Sequence, residues 1–359
     1  MTLRWLIRIR ILDFAIALHY NRPIILYTQE QKLEILNNIF QMKIPIPDNP
    51  LGNVNAYLIK SDEGSMLVDT GWNTSVAFES LVNQMKSHGV DLSDLKYVFI
   101  THIHPDHYGL AGKLANYTDA KLIIHEKDKE LLESRYIQTD ELIDEVENWL
   151  GINGVPADNQ TQFSRASLSI LGYVNVAMPD IIVKGGEKIQ LGGYNFEIVW
   201  TPGHSPGHIC LYEKDKKFLI VGDHILQKIT PNISLNSQNV NNPLIDYLNS
   251  LIEMKRLEVE LVLPAHGNPF PQFQGRIDEI IQHHENRLVE MLDFFHNGSK
   301  SAYQIAVETK WFLPWDQLPQ FSKRVAVTET LAHLELLITR GKLNKEKHSS
   351  IFQYFLNGK

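Results

Sequence analysis

A short apolar run from Leu95 to Thr101 leads directly into His102-Ile103-His104-Pro105-Asp106-His107. No other feature limits this chain so tightly. Four potential metal ligands fall within six residues. Alternate side chains of extended backbone share one face, so His102 and His104 point to the same side. Pro105 forces a bend, and Asp106 and His107 then face a second point. A loop that needed only surface polarity would rarely concentrate three histidines and an aspartate there. The spacing is not His-Glu-x-x-His on a helix, so a zincin arrangement is excluded.

Three later segments repeat the order of apolar strand, then ligand. Ile198-Val199-Trp200-Thr201-Pro202-Gly203 precedes His204, Phe218-Leu219-Ile220-Val221-Gly222 precedes Asp223, and Leu261-Val262-Leu263-Pro264-Ala265 precedes His266. Taken singly, each histidine is more often structural. The repeated context, with Gly or Pro beside every ligand, points to strand-end loops converging on one site of a rigid sheet.

At 359 residues and 43% hydrophobic content the chain is long enough for two domains and a sizeable core. A net charge of -8 gives no global basic surface for nucleic acid or an anionic membrane. Cys210 is the one cysteine, so no internal disulfide forms, in keeping with a reducing, cytoplasmic setting. It is expected to be a small buried apolar residue. Arg4, Arg8, Arg10 and Asp13 interrupt the apolar residues of the first 20 positions. A spanning helix needs about 20 apolar residues, and no A-x-A-like cleavage site follows. Residues 1–34 are therefore an extension, a peripheral helix or an over-extended start, and no membrane partner is expected.

Strand and turn signals fill about 35–72, with a hairpin of Asn53–Ile59 and Ser65–Val68 around Ser61-Asp62-Glu63-Gly64. Residues 75–88 suit an amphipathic helix, Lys121–His125 a strand, and 126–150 a charged helical stretch. Residues 151–182 look less regular. Strands return at Phe196–Thr201, Ile209–Tyr212, Phe218–Val221 and Val259–Leu263, with a helix over 243–256. Helical patterns then cover about 275–297, 300–308 and 322–340, and a small hairpin ends the chain. The predicted class is α/β, with a catalytic domain over 35–274 and a small helical domain with a wing over 275–359.

The His-x-His-x-Asp-His run, followed by His204, Asp223 and His266 in order, resembles the metallo-β-lactamase superfamily over about residues 40 to 270. The resemblance implies an αββα sandwich with the site at one edge. It implies a first metal on His102, His104 and His204, a second on Asp106, His107 and His266, and Asp223 bridging them. Asp69, in Leu67-Val68-Asp69-Thr70-Gly71, matches the family's first motif and is expected to orient ligands from behind. His208 is expected in a supporting position. The chemistry agrees. Imidazole and carboxylate suit zinc, with iron or manganese as alternatives. Two divalent ions about 3.5–4 Å apart can generate a nucleophile from water and polarise a carbonyl or phosphoryl group. Asp106 is also the candidate for handling the proton of that water.

True β-lactamases of the family usually lack the bridging aspartate, flavodiiron proteins carry Glu where His104 stands, and the RNA-cleaving β-CASP cap has no room between Asp223 and His266. A long insert over about 126–185 is expected to form a lid, with Trp149, Phe163 and Tyr173 as its walls. The tail resembles the winged helix of the lactamase-like-protein-2 group through Ala332-His333-Leu334-Glu335-Leu336-Leu337-Ile338-Thr339-Arg340-Gly341-Lys342-Leu343. Some members of that group are endoribonucleases. Lys323, Arg324, Arg340, Lys342, Lys345 and Lys347 are then candidates for phosphate contact. The first expectation is hydrolysis of a small ester, thioester or lactone. The second is cleavage of single-stranded RNA, and the third a mono-iron persulfide dioxygenase. The expected partners are a small-molecule substrate, RNA under the second reading, and a second copy of the chain in a homodimer.

Overall fold

A computed structural model describes residues 33–166, 168–238 and 241–358. The expectations for residues 1–32 lie outside the described residues. The first sheet is built from β1 (Leu33–Leu36), β2 (Ile39–Pro45), β3 (Asn53–Ile59), β4 (Ser65–Val68), β5 (Leu95–Phe99), β6 (Lys121–His125) and β7 (Ile181–Val183), in sequence order across the sheet. Pairing is antiparallel from β1 to β4 and parallel from β4 to β7. The parallel steps need crossovers. These are supplied by α1 (Ser75–Ser87), by α2 (Pro105–Tyr108) with α3 (Ala111–Ala115), and by α4 (Glu126–Tyr136), α5 (Thr139–Ile152), α6 (Ala157–Arg165) and α7 (Leu168–Leu171). The second sheet holds β8 (Lys188–Leu191), β9 (Tyr194–Trp200), β10 (Ile209–Glu213), β11 (Phe218–Gly222) and β12 (Leu261–Pro264), with α8 (Pro243–Met254) as the crossover between the last two.

The two sheets pack face to face because both strand sets are apolar on alternating positions. Tyr57, Ile59, Met66, Val68 and Phe99 point inward and meet Phe196, Ile198, Leu211, Phe218 and Ile220. Their neighbours turn the other way. Ala56, Leu58 and Leu67 pack on Ala77, Leu81 and Met85 of α1, while Cys210, Tyr212, Leu219 and Val221 face the later helices. This is a four-layer αββα arrangement. Burying each large apolar side chain between the sheets contributes about 1.5–3 kcal/mol.

After β12 come α9 (Phe273–Asp293), α10 (Ala302–Glu308), α11 (Gln320–Thr339) and the hairpin of β13 (Leu343–His348) and β14 (Ile351–Leu356). Ser301 caps α10 in a capping box with Gln304. One apolar cluster runs from Tyr212 and Leu219 of the second sheet, through Tyr247 and Leu251 of α8, to Ile277, Ile305, Leu331 and Tyr354 of the tail. Leu150, Val155 and Phe163 of the insert join the same cluster.

Residues 151–182, which read as irregular, contain α6 and α7. Asp158, Asn159 and Thr161 in α6 have weak intrinsic helix preference. Packing against α5 and α11 supplies what the local sequence lacks.

Candidate metal centre

Every ligand candidate stands just past a strand end on the same edge of the sandwich. Beyond β5 the chain bends at Thr101, and His104 has extended backbone before Pro105 opens α2 at its first position. Proline suits that position, where its missing N–H would have no helical partner. His204 follows β9, Asp223 follows β11 and His266 follows β12.

These side chains gather in two groups, His102, His104 and His204 in one, and Asp106, His107, Asp223 and His266 in the other. In the first, His104 Nδ1 is 2.9 Å from both His102 Nε2 and His204 Nε2. In the second, His266 Nε2 is 3.1 Å from Asp106 Oδ2 and 3.4 Å from Asp223 Oδ1. Asp223 Oδ2 lies 3.5 Å from His107 Nε2 and 3.5 Å from His204 Nε2, so it stands between the groups.

The far side of each ring fixes which nitrogen carries a lone pair inward. His204 Nδ1 donates to the Asn232 carbonyl at 2.8 Å, and His266 Nδ1 to the Asn53 carbonyl at 3.0 Å. Thr101 Oγ1 donates to the Asp69 carboxylate at 2.9 Å, which leaves it to accept from His102 Nδ1 at 3.1 Å. His102 Nε2 and His204 Nε2 therefore both present lone pairs to His104 Nδ1. One proton there can serve only one of them, whereas a cation serves all three nitrogens. In the second group His107 Nε2 and Asp223 Oδ1 are buried without a hydrogen-bond partner among the described residues. Orphaned buried polar atoms are rare. The donor set fits metal ions in both groups.

Charge follows the same division. Burial, then the neighbouring histidines, hold His102 and His104 well below the usual imidazole pKa, so both are neutral ligands. Burial also opposes charge on His107, but Asp106, Asp69 and Asp223 outweigh it and raise its pKa well above normal. Asp106 and Asp223 are in turn held low against burial by His107 and His266.

Asp69 sits behind the second group, with Oδ1 accepting from Thr101 N at 2.8 Å and Oδ2 2.8 Å from His107 Nδ1. His208 is fully buried beneath Asp223. Its Nδ1 is 2.7 Å from Thr201 Oγ1, and its Nε2 accepts from Asp223 N at 3.2 Å. Gly222 makes this approach feasible, since a Cβ there would come within 2.7 Å of His208 Nε2.

Two supporting groups have no signature in the sequence pattern. Asp128, fully buried in the first turn of α4, accepts from Ile103 N at 2.9 Å, from Gly207 N at 2.7 Å and from Ser205 Oγ. It thus ties the His102–His104 loop to the His204–His208 loop. Asn55 Nδ2 donates to the carbonyls of Pro264 and Gly267, both at 2.9 Å, and fixes the His266 loop. Cys210 belongs to neither group. Burial pushes its thiol up to about 12, in keeping with an apolar role.

His104, Asp106, His204, Asp223 and His266 line a cavity of about 350 Å³. The insert does contribute walls, but through Arg135, Tyr136, Leu142, Val146, Ile170 and Leu171. Trp149, Phe163 and Tyr173 are not among them. Phe163 is buried in the core, Trp149 packs against that core, and Tyr173 stacks on Trp72, which does line the cavity. The opposite wall comes from the loop 226–238 and from Phe321, Arg324, Val325 and Thr328 of α11. Leu235 N donates to the Thr328 carbonyl at 3.0 Å, so α11 holds the loop whose Asn232 carries His204. Of the six tail cations expected to meet phosphate, Arg324 lines this cavity, Arg340 pairs with Glu285 at 2.7 Å and Lys345 pairs with Glu335 at 2.5 Å. Lys323 lies over Trp315 and Lys347 over Phe352, while Lys342 is exposed.

The sequence profile of the metallo-beta-lactamase superfamily matches residues 49–266. The chain is 24% identical over 304 residues to the probable metallo-hydrolase YqjP of Bacillus subtilis (strain 168), covering 84% of this chain and 92% of that one. It is 24% identical over 243 residues to the beta-lactamase-like protein 2 homolog of Caenorhabditis elegans, covering 67% of this chain and 65%, just under two thirds, of that one. A crystal structure of a metallo-beta-lactamase family protein from Thermus thermophilus superposes with a TM-score of 0.77 at 27% identity, over 90% of this chain and 100% of that chain.

Proposed function

The chain belongs to the metallo-beta-lactamase superfamily and is a metal-dependent hydrolase, and from that premise we propose that it cleaves a small ester, thioester or lactone using two zinc ions. His102, His104 and His204 would hold the first ion, Asp106, His107 and His266 the second, with Asp223 between them. Bound there, two ions would supply Lewis acidity and lower the pKa of a water at the site. Asp106, which reaches the cavity while paired with His266, would be placed to orient a water there and to accept a hydrogen bond from it. Asp128 and Asn55 keep the ligand loops rigid.

The observation that carries the substrate reading is the cavity. Its volume of about 350 Å³ matches small-molecule sites, typically about 300–1,000 Å³. Helices of the insert and of the tail wall it on two sides, mostly with apolar side chains. The RNA alternative draws on the tail. We read its order of α9, the bridge of Lys300 to Tyr354, α10, α11 and the closing hairpin as a winged helix, and that reading is what supports the alternative. Against it, Arg340 and Lys345 are already ion-paired.

The test is turnover by zinc-loaded protein on a panel of esters, thioesters and lactones beside labelled single-stranded RNA, with Asp106→Ala as control. Metal-dependent turnover of a small substrate, lost in the variant, is expected. Cleavage of RNA alone overturns the reading, as would oxygen uptake with a persulfide by protein holding one iron.

A further inference from the structure

Two arginines line the cavity that holds the metal ligands. Arg135 comes from the last turn of α4 and Arg324 from α11. Neither meets a carboxylate within 4 Å among the described residues. Arg135 Nε has one distant acceptor, Gln238 Oε1 at 3.4 Å. Arg324 Nε is buried without a hydrogen-bond partner among the described residues. Its guanidinium lies over the Phe321 ring at 5.4 Å, which occupies a face of the group but not its N–H edge. Burial, then the charge of Arg135, brings the Arg324 pKa down to about 10, so it remains cationic at neutral pH. The charge of Arg135 is felt at His104 as well.

Both arginines are half-buried, and only the Arg324 Nε is closed off from solvent. A partly desolvated cation with no carboxylate beside it among the described residues is poorly stabilised, and a second cation nearby adds repulsion. Structural packing alone accounts poorly for two arginines so placed. An anion between them would satisfy the open N–H groups, and the guanidinium fork matches both carboxylate and phosphoryl oxygens. The neighbouring walls, Tyr136, Leu142, Val146 and Ile170, suit an apolar stem.

Resting on the hydrolase reading above, we propose that Arg135 and Arg324 form a subsite for an anionic group that the substrate carries away from its scissile bond. The substrate class is then an ester, thioester or lactone with an apolar middle and a carboxylate or phosphoryl end.

The test compares the p-nitrophenyl ester of pentanoic acid with the mono-p-nitrophenyl ester of glutaric acid, which replaces a terminal methyl by a carboxylate. The matching ester of 4-phosphonobutanoic acid forms the phosphoryl arm. Zinc-loaded wild type, Arg135→Gln, Arg324→Gln and Arg324→Lys are assayed. Binding of the glutaric monoanilide, a slow-reacting amide, is measured in parallel by calorimetry. The anionic esters should be preferred, with the better arm naming the group. Each Gln variant should lower the anionic-to-neutral ratio of kcat/KM roughly tenfold or more, mainly through KM, and weaken anilide binding alike. Arg324→Lys should recover part of both. Neutral and anionic esters cleaved with a ratio that neither Gln substitution changes would overturn the subsite but leave the hydrolase. If no ester is cleaved, the ester form of the substrate reading fails, and the anilide decides the subsite: binding weakened in the Gln variants supports it, binding unchanged overturns it.

Discussion

Asp69 Oδ2 lies 2.8 Å from Nδ1 of His107, on the ring edge away from the second ligand group. That contact fixes the ring and sends Nε2 toward Asp106 and Asp223. Asp69 has φ of 61°, a left-handed conformation that Asn adopts at least as readily. Asp69→Asn should therefore keep the backbone while losing the carboxylate. Partners of this kind are worth about 10–100-fold in metal affinity. Zinc titration against a chelator should show one of two ions weakened by that order. Two ions bound as tightly as in wild type would refute the role.

Asp128 gives a second prediction. Three donors end on its carboxylate, and two are backbone N–H groups of the ligand loops. A buried donor left without a partner costs about 1–3 kcal/mol. Asp128→Ala should lower stability by several kcal/mol and loosen the first metal group, since both loops feed it. Asp128→Asn keeps one acceptor and should fall between. Thermal melts with zinc stoichiometry check this, and an Ala variant that melts like wild type speaks against it.

What the sequence made legible has a common physical form. His102, His104, Asp106 and His107 stood out because ligand, proline and strand fall within a dozen residues. The hairpin of Asn53–Ile59 with Ser65–Val68 is local in the same sense, and the pairing found agrees. Asp128 escaped notice because its partners lie 25 to 79 residues away and a lone aspartate at a helix start looks like a cap. Asn55 acts across 209 and 212 residues. The aromatic walls were misassigned for a related reason. Size and apolarity mark Phe163 as buried but not against which surface. Its helix turns it to the core, leaving Tyr136 and Leu142 to line the cavity beside the candidate ligands.

A buried pair outside the metal centre predicts acid lability. His284 Nδ1 lies 3.1 Å from His333 Nε2, whose other nitrogen donates to the Glu329 carbonyl. Burial holds His284 well below the usual range and His333 at about 3. Both are neutral when folded and take up protons on unfolding in acid. Their contribution is complete above about pH 6.5, the unfolded value, and is lost as pH falls toward 3. Each such histidine steepens the loss by about 1.4 kcal/mol per pH unit in that window. Replacing both by Leu should flatten the decline in urea stability of zinc-saturated protein between pH 6.5 and 5. An unchanged slope would show that other groups set it.

The shared apolar cluster predicts how the chain unfolds. Tyr212 and Leu219 of the second sheet, Leu150 and Phe163 of the insert, and Ile305 and Leu331 of the tail belong to one packed group. Helix α11 also holds the Asn232 loop through Thr328 and Leu235, and Asn232 orients His204. A tail that were only appended would melt separately and leave the metal in place. The packing predicts instead that loss of helix, loss of tertiary fluorescence from Trp311 and Trp315 in a variant with the chain's other four tryptophans replaced by Phe, and zinc release share one midpoint in urea. Coincident transitions by independent probes are the mark of cooperative unfolding. A first transition that moves the tryptophan signal while zinc stays bound would establish the tail as an independent unit.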